Sequence, residues 1–186
     1  PLQNLSLAFS CGIGIAMNAI IARHLGAHND QEASDVASQG IVMSLLHSLL
    51  FVVIGLFFIR PFVSMFSSHQ EVIQYGIQYG TIVITFTFFS FVHLAIEKMF
   101  QASGDMIIPM IMQIVGAVVN IVLDPILIFG YFGFPALGVN GAAIATILGQ
   151  MSACFLSIYL FYKHSQHIHV SFKHFKINFQ TFKNLY

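Results

Sequence analysis

Asn120 and Asp124 stand four residues apart inside one of the long apolar stretches of the chain, and Asp124 is the acidic residue placed deepest in any such stretch. A carboxylate among apolar neighbours is expensive and calls for a reason. At that spacing both side chains share one helix face, which Gln113, Gly116 and Ala117 continue. The chemistry open to such a stripe is cation binding, with a carboxylate that takes up a proton or Na⁺ and an amide oxygen beside it. A carboxyl that gives up its water to apolar surroundings is protonated more easily. The structural alternative makes Asp124 a cap near the outer interface, just before Pro125 and Gly130. On the residues alone both readings stay open.

Other polar groups suggest less. His93 and Glu97 are also four apart and could be written as two metal ligands, but a site needs more ligands and no His-Glu-x-x-His occurs. Glu97 reads instead with Lys98 as an interface pair, and His93 and His47 as satisfied bundle residues. His164, His167, His169 and His174 lie in an amphipathic tail, where adventitious metal binding is the weaker reading. Gly12-Ile13-Gly14 follows no strand, so helix packing explains it better than a nucleotide loop. Intramembrane aspartyl proteolysis needs two carboxylates that share a proton. Asp105 and Asp124 would be about 28 Å apart along a continuous helix. Asp105, after Ser103 and Gly104, reads as an N-cap. Cys11 and Cys154 both sit in apolar runs as small core residues. No catalytic residue, resident metal or cofactor is therefore expected.

The elements that must hold these residues are long. Apolar runs cover about 5–22, 36–59, 72–96, 106–131 and 137–162, broken by polar segments such as Ala27–Glu32 and by Arg60-Pro61. Each approaches or exceeds the ~20 residues that cross a hydrocarbon core as helix, and none alternates like a barrel strand. The expected fold is an all-α integral membrane bundle of about five transmembrane helices over 1–163. Small residues recur at helical spacing, Gly12, Gly14 and Ala16 early, then Gly141, Ala142, Ala145 and Gly149, where they would let helices approach closely. Pro109 suits a first helical turn, whereas Pro125 is expected to kink its helix and free a carbonyl.

Composition agrees. Hydrophobic residues make up 57% and charged residues 8%, against about 25% in soluble domains, and mean hydropathy is +0.82. Lipid must be the solvent for much of this surface. The formal net charge of zero gives no basic field for nucleic acid. With five spans, Arg23, Lys98, Lys163, Lys173, Lys176 and Lys183 fall on one side and Arg60 on the other. By the positive-inside rule the six are cytoplasmic, so the chain starts outside and ends inside. The segment 164–186, with Val170, Phe172, Phe175, Phe179 and Phe182 among His and Lys, reads as an amphipathic linker on the cytoplasmic surface. A Pro at position 1, with no basic leader before the first apolar run, is expected of a chain cut from something longer.

Several stretches occur in a telling order: Ala22-Arg23-His24-Leu25-Gly26-Ala27, Phe100-Gln101-Ala102-Ser103-Gly104-Asp105, Pro109, Asn120-Ile121-Val122-Leu123-Asp124-Pro125, and Leu137-Gly138-Val139-Asn140-Gly141-Ala142-Ala143-Ile144-Ala145-Thr146. In this set the chain resembles the MATE (multidrug and toxic compound extrusion) family. The resemblance implies two six-helix lobes related as parallel repeats, with helices two to six of the N-terminal lobe present here and the tail leading to helix seven. It implies a cation site of Asp124, Asn120 and Thr146, completed by a helix-one carboxylate that has no counterpart here, with Gln113 and Gln150 as possible cavity-lining residues. It further implies multi-pass residence in the cell membrane, partnership with the lipid bilayer, and a first helix and C-terminal lobe elsewhere in the same protein. The implied function is export of amphipathic, often cationic, organic compounds driven by H⁺ or Na⁺ through alternating access. A lipid-linked oligosaccharide flippase of the same superfamily is the alternative. It should have a more basic cavity, and no Lys or Arg is expected inside a span here.

Overall fold

The computed structural model describes residues 2–165 together with Ile168 and Val170. The amphipathic linker expected over 164–186 therefore lies almost wholly outside the described residues. The described chain is built of α1 (Leu2–Gly26), α2 (Asp30–Ser64), α3 (Gln70–Thr85), α4 (Thr87–Ala102), α5 (Ile107–Phe129) and α6 (Val139–His164), with a short 3-10 turn at Tyr131–Gly133.

Local chemistry sets the helix ends. Between α1 and α2, His28 takes a left-handed φ of 55°, and the Asn29 side chain accepts the Glu32 N–H at 3.2 Å as an N-cap. Asp30 and Glu32 in the first turn of α2 suit its positive N-terminal dipole. Before α5, the Asp105 carboxylate accepts the N–H groups of Ile107 and Ile108 at 3.0 and 3.1 Å, the capping role expected of it. At its far end Gly130 closes α5 with φ 76°, and its N–H donates to Ile126 O at 3.0 Å.

The expected apolar runs fall on α1, α2, the α3–α4 pair, α5 and α6. α2, α5 and α6 are each long and apolar enough to cross a membrane, and α3 with α4 qualifies as one broken span bent by 46°. The sharp bend sits at Phe86, where no proline or glycine occurs. Thr85 and Thr87 instead hydrogen-bond back to Thr81 O at 2.7 Å and Val83 O at 3.1 Å, the side-chain competition that bends helices. α5 continues through Pro125 to Phe129 as one helix. α4 also runs beyond Glu97-Lys98 to Ala102, so this pair lies inside a helix.

α4 is central, packed by α1, α2 and α6, and α6 packs in turn on α5 and α3. Met17, Ile21, Met43, Ile96, Met99, Phe100, Met112 and Phe161 are buried together between them. The outer faces are apolar as well, with Phe57, Ile121 and Tyr162 well exposed. That is the pattern of a lipid-facing bundle, in which burying apolar surface gives little drive to associate and close packing of small residues must supply it.

α5 and α6 show that packing most clearly. A Cβ added at Gly141 would run into the Leu127 carbonyl, one at Gly149 would meet Gly116 O at 2.7 Å, and one at Gly116 would meet Gly149 O at 3.2 Å. The two backbones touch along an antiparallel seam. On α1, Gly14 makes room for the stem of Lys98 (2.8 Å to its Cγ), whereas Gly12 faces open space and takes no part.

Candidate functional site

The seam fixes the relative height of the polar residues on α5 and α6. Its antiparallel register puts Thr146 near the level of Asn120, with Asp124 one turn further along α5. Beside it opens a cleft of about 390 Å³ between α4, α5 and α6, closed at one edge by Leu7 of α1. Asn120, Thr146, Gln113 and Gln150 all line it. Those four sequence-derived candidates are thus brought to one wall system.

Asp124 is not among the lining residues. Its side chain is half-buried on α5 and forms no hydrogen bond or ion pair among the described residues. Thr146 spends its hydroxyl hydrogen on Ala142 O at 2.9 Å, leaving its oxygen lone pairs as the groups it can offer. Among the described residues, the buried amide nitrogen of Asn120 and the buried amide oxygen of Gln150 have no hydrogen-bond partner. Buried polar atoms are nearly always hydrogen-bonded, so two orphans of opposite character on one cleft mark a place built to receive something polar.

The polar centre of the cleft is a group the sequence reading put elsewhere. Glu97 was expected at an interface with Lys98; it is only 3% exposed. Its Oε1 accepts from Gln101 Nε2 at 2.8 Å and faces Lys98 Nζ at 3.5 Å, while its Oε2 accepts from Gln113 Nε2 at 2.9 Å and faces His93 Nε2 at 3.9 Å. The Lys98 ammonium also donates to Gln101 Oε1 at 2.8 Å. A carboxylate this deep needs such satisfaction, because an unpaired buried charge costs several kcal/mol. His93 is a bundle residue tied to α6 through one ring nitrogen, with Nδ1 2.6 Å from Ser157 Oγ.

The signal for this centre was present in the sequence as a second four-residue stripe, His93, Glu97 and Gln101, on one face of α4. It was obscured because the span was ended at Ile96, which turned a buried residue into a terminal one. Lys98 is the matching correction: its side chain is 17% exposed within α4, so a lysine does lie inside the bundle. Its charge is matched by Glu97 and it does not line the cleft. Among the described residues, no group of three or more His, Cys, Asp or Glu could hold a metal ion.

Comparison with known proteins adds an independent line. A family model described as MatE matches residues 1–126. The chain is 30% identical over 167 residues to "Probable multidrug resistance protein YoeA" of Bacillus subtilis, covering 90% of this chain and 36% of that protein. It is 33% identical over 156 residues to "Probable multidrug resistance protein NorM" of Oceanobacillus iheyensis, covering 82% and 34%. This chain thus spans little more than a third of the length of these curated relatives. Its fold superimposes on a structure titled "Crystal structure of MATE in the bent conformation" with TM-score 0.90 at 24% identity, over 97% of this chain and 40% of that one.

Proposed function

The chain belongs to the MatE family, and from that premise we propose that it forms part of a cation-coupled antiporter that exports amphipathic organic compounds across the cell membrane in exchange for H⁺ or Na⁺. The observation that carries this reading is the cleft with its two orphaned amide atoms, Asn120 Nδ2 and Gln150 Oε1, beside the buried Glu97 cluster. Predominantly apolar walls with a few placed polar groups are what a site for amphipathic molecules requires. The curated relatives carry names of multidrug resistance proteins, which favours the same substrate class.

In this proposal Asp124, Asn120 and Thr146 take the coupling cation, Gln113 and Gln150 face the substrate, and a preceding helix and a second lobe complete the path. Cation binding drives export only through a difference in affinity between the outward- and inward-open states. We place the chain's beginning outside and the α1–α2 and α4–α5 connections, 27–29 and 103–106, inside, with 164–186 as the cytoplasmic connector. Flippase activity on a lipid-linked oligosaccharide would ask for a basic cleft, and no Lys or Arg lines this one among the described residues.

Efflux of a fluorescent organic cation from cells expressing the complete protein tests the proposal, with the H⁺ and Na⁺ gradients collapsed separately. Export should stop when one gradient is removed and should fall at least tenfold in Asp124→Asn. Efflux that survives loss of both gradients would remove the antiport reading, and an unimpaired Asp124→Asn would make that carboxylate structural.

A further inference from the structure

We infer that His93 and Glu97 together form a proton-binding site on the wall of the cleft, separate from the Asp124 group. The inference begins at Ser157. Its hydroxyl donates to Ala153 O at 2.6 Å, which uses its single hydrogen. With that hydrogen on Ala153 O, the same oxygen meets His93 Nδ1, 2.6 Å away, as an acceptor, and we assign the Nδ1–H tautomer to this arrangement. In a neutral imidazole this leaves Nε2 bare, with its lone pair turned toward Glu97 Oε2 at 3.9 Å. Two lone pairs facing each other attract nothing. One added proton on Nε2 makes an imidazolium–carboxylate pair and gives both atoms a reason to close the gap.

The other oxygen of Glu97 is already served. Lys98 Nζ and Gln101 Nε2 both lie on Oε1, and Gln113 reaches Oε2 from α5. The charged and titratable groups of the cluster are thus His93, Glu97 and Lys98, all on α4. Ser157 of α6 and Gln113 of α5 are neutral, α1 contributes the Asn18 amide, which donates to Lys98 O at 3.2 Å, and α2 meets this part of α4 with Phe51 against Phe91. Glu97 and Lys98 cancel, so a proton taken up by His93 puts a net positive charge on a wall that both His93 and Glu97 line. The site rests on these contacts and not on the transport reading.

The test is a pH titration of the full chain in lipid nanodiscs, labelled with ¹⁵N-histidine, with the His93 signals assigned by their loss in His93→Gln. His93 should pass from the Nδ1–H neutral tautomer to imidazolium as the pH is lowered. In Glu97→Gln its midpoint should fall by about one unit or more, a tenfold loss of proton affinity. An Nε2–H tautomer, or a midpoint that Glu97→Gln leaves in place, overturns the inference. If Glu97→Gln yields no folded protein, Ser157→Ala supplies the second reading. Removing the acceptor should shift the neutral imidazole toward Nε2–H, and an unchanged tautomer defeats the assignment. Proton uptake is read at equilibrium, so it stands or falls apart from any efflux result.

Discussion

At the scale of single residues, the chain shows how one residue type takes opposite roles by position. Asp105 caps α5 through two backbone N–H groups, whereas Asp124, in the body of the same helix, has no partner among the described residues. Asp105→Ala should therefore cost about 1 kcal/mol of stability, the usual worth of an N-cap. Thermal unfolding in detergent would register this as a lowered midpoint, and efflux by the folded fraction should persist. The capping role was legible in advance because Ser103-Gly104-Asp105 precedes an apolar run, which is a local rule. The burial of Glu97 is legible only in part: the His93–Glu97–Gln101 stripe lies in the sequence, but the burial also depends on Gln113 arriving from sixteen residues away and on α4 continuing past Lys98. Asn120, Thr146, Gln113 and Gln150 were identified from spacing and family resemblance, and the fold gathers all four on one cleft. What no local pattern supplied was the exclusion of Asp124 from that lining.

Between elements, the decisive feature is the α5–α6 seam. Gly141 and Gly149 were readable as packing residues because small side chains at helical spacing mean close approach in lipid. Which early glycine shared that role was not readable, since the partner surface decides it: Gly14 faces Lys98 and Gly12 faces nothing within 4 Å. Gly141→Ala should push α5 and α6 apart and lower stability by about 1–3 kcal/mol, as overpacking does. Gly12→Ala should be neutral or raise stability by up to about 1 kcal/mol, because alanine restricts the unfolded chain in an unobstructed helix. Unfolding of the two variants in the same detergent checks the contrast, and equal losses would contradict the seam. Besides Pro125, which lies within a continuous α5, a sharp bend falls at Phe86 between two threonines that bond backward. Backward bonding by Thr depends on rotamer and surroundings, so composition alone does not announce it.

For the molecule as a whole, hydropathy gives the membrane class, α2, α5, α6 and the α3–α4 pair qualifying as spans against the five runs expected, and the lysine–arginine count gives an expected orientation. The orientation makes a direct prediction. In a background with Cys11 and Cys154 replaced by serine, a cysteine placed at Asn29 should resist a membrane-impermeant maleimide in intact cells, and one at Ser68 should react. The reverse pattern would invert the topology and move the linker outside. The break at Phe86 carries a further consequence, for biogenesis. α3 and α4 each have 16 residues, about 24 Å of helix, which falls short of a hydrocarbon layer about 30 Å thick. Neither half is long enough to cross by itself, so α3 and α4 should enter lipid as one unit, and truncation after Phe86 should leave α3 uninserted in a membrane-integration assay.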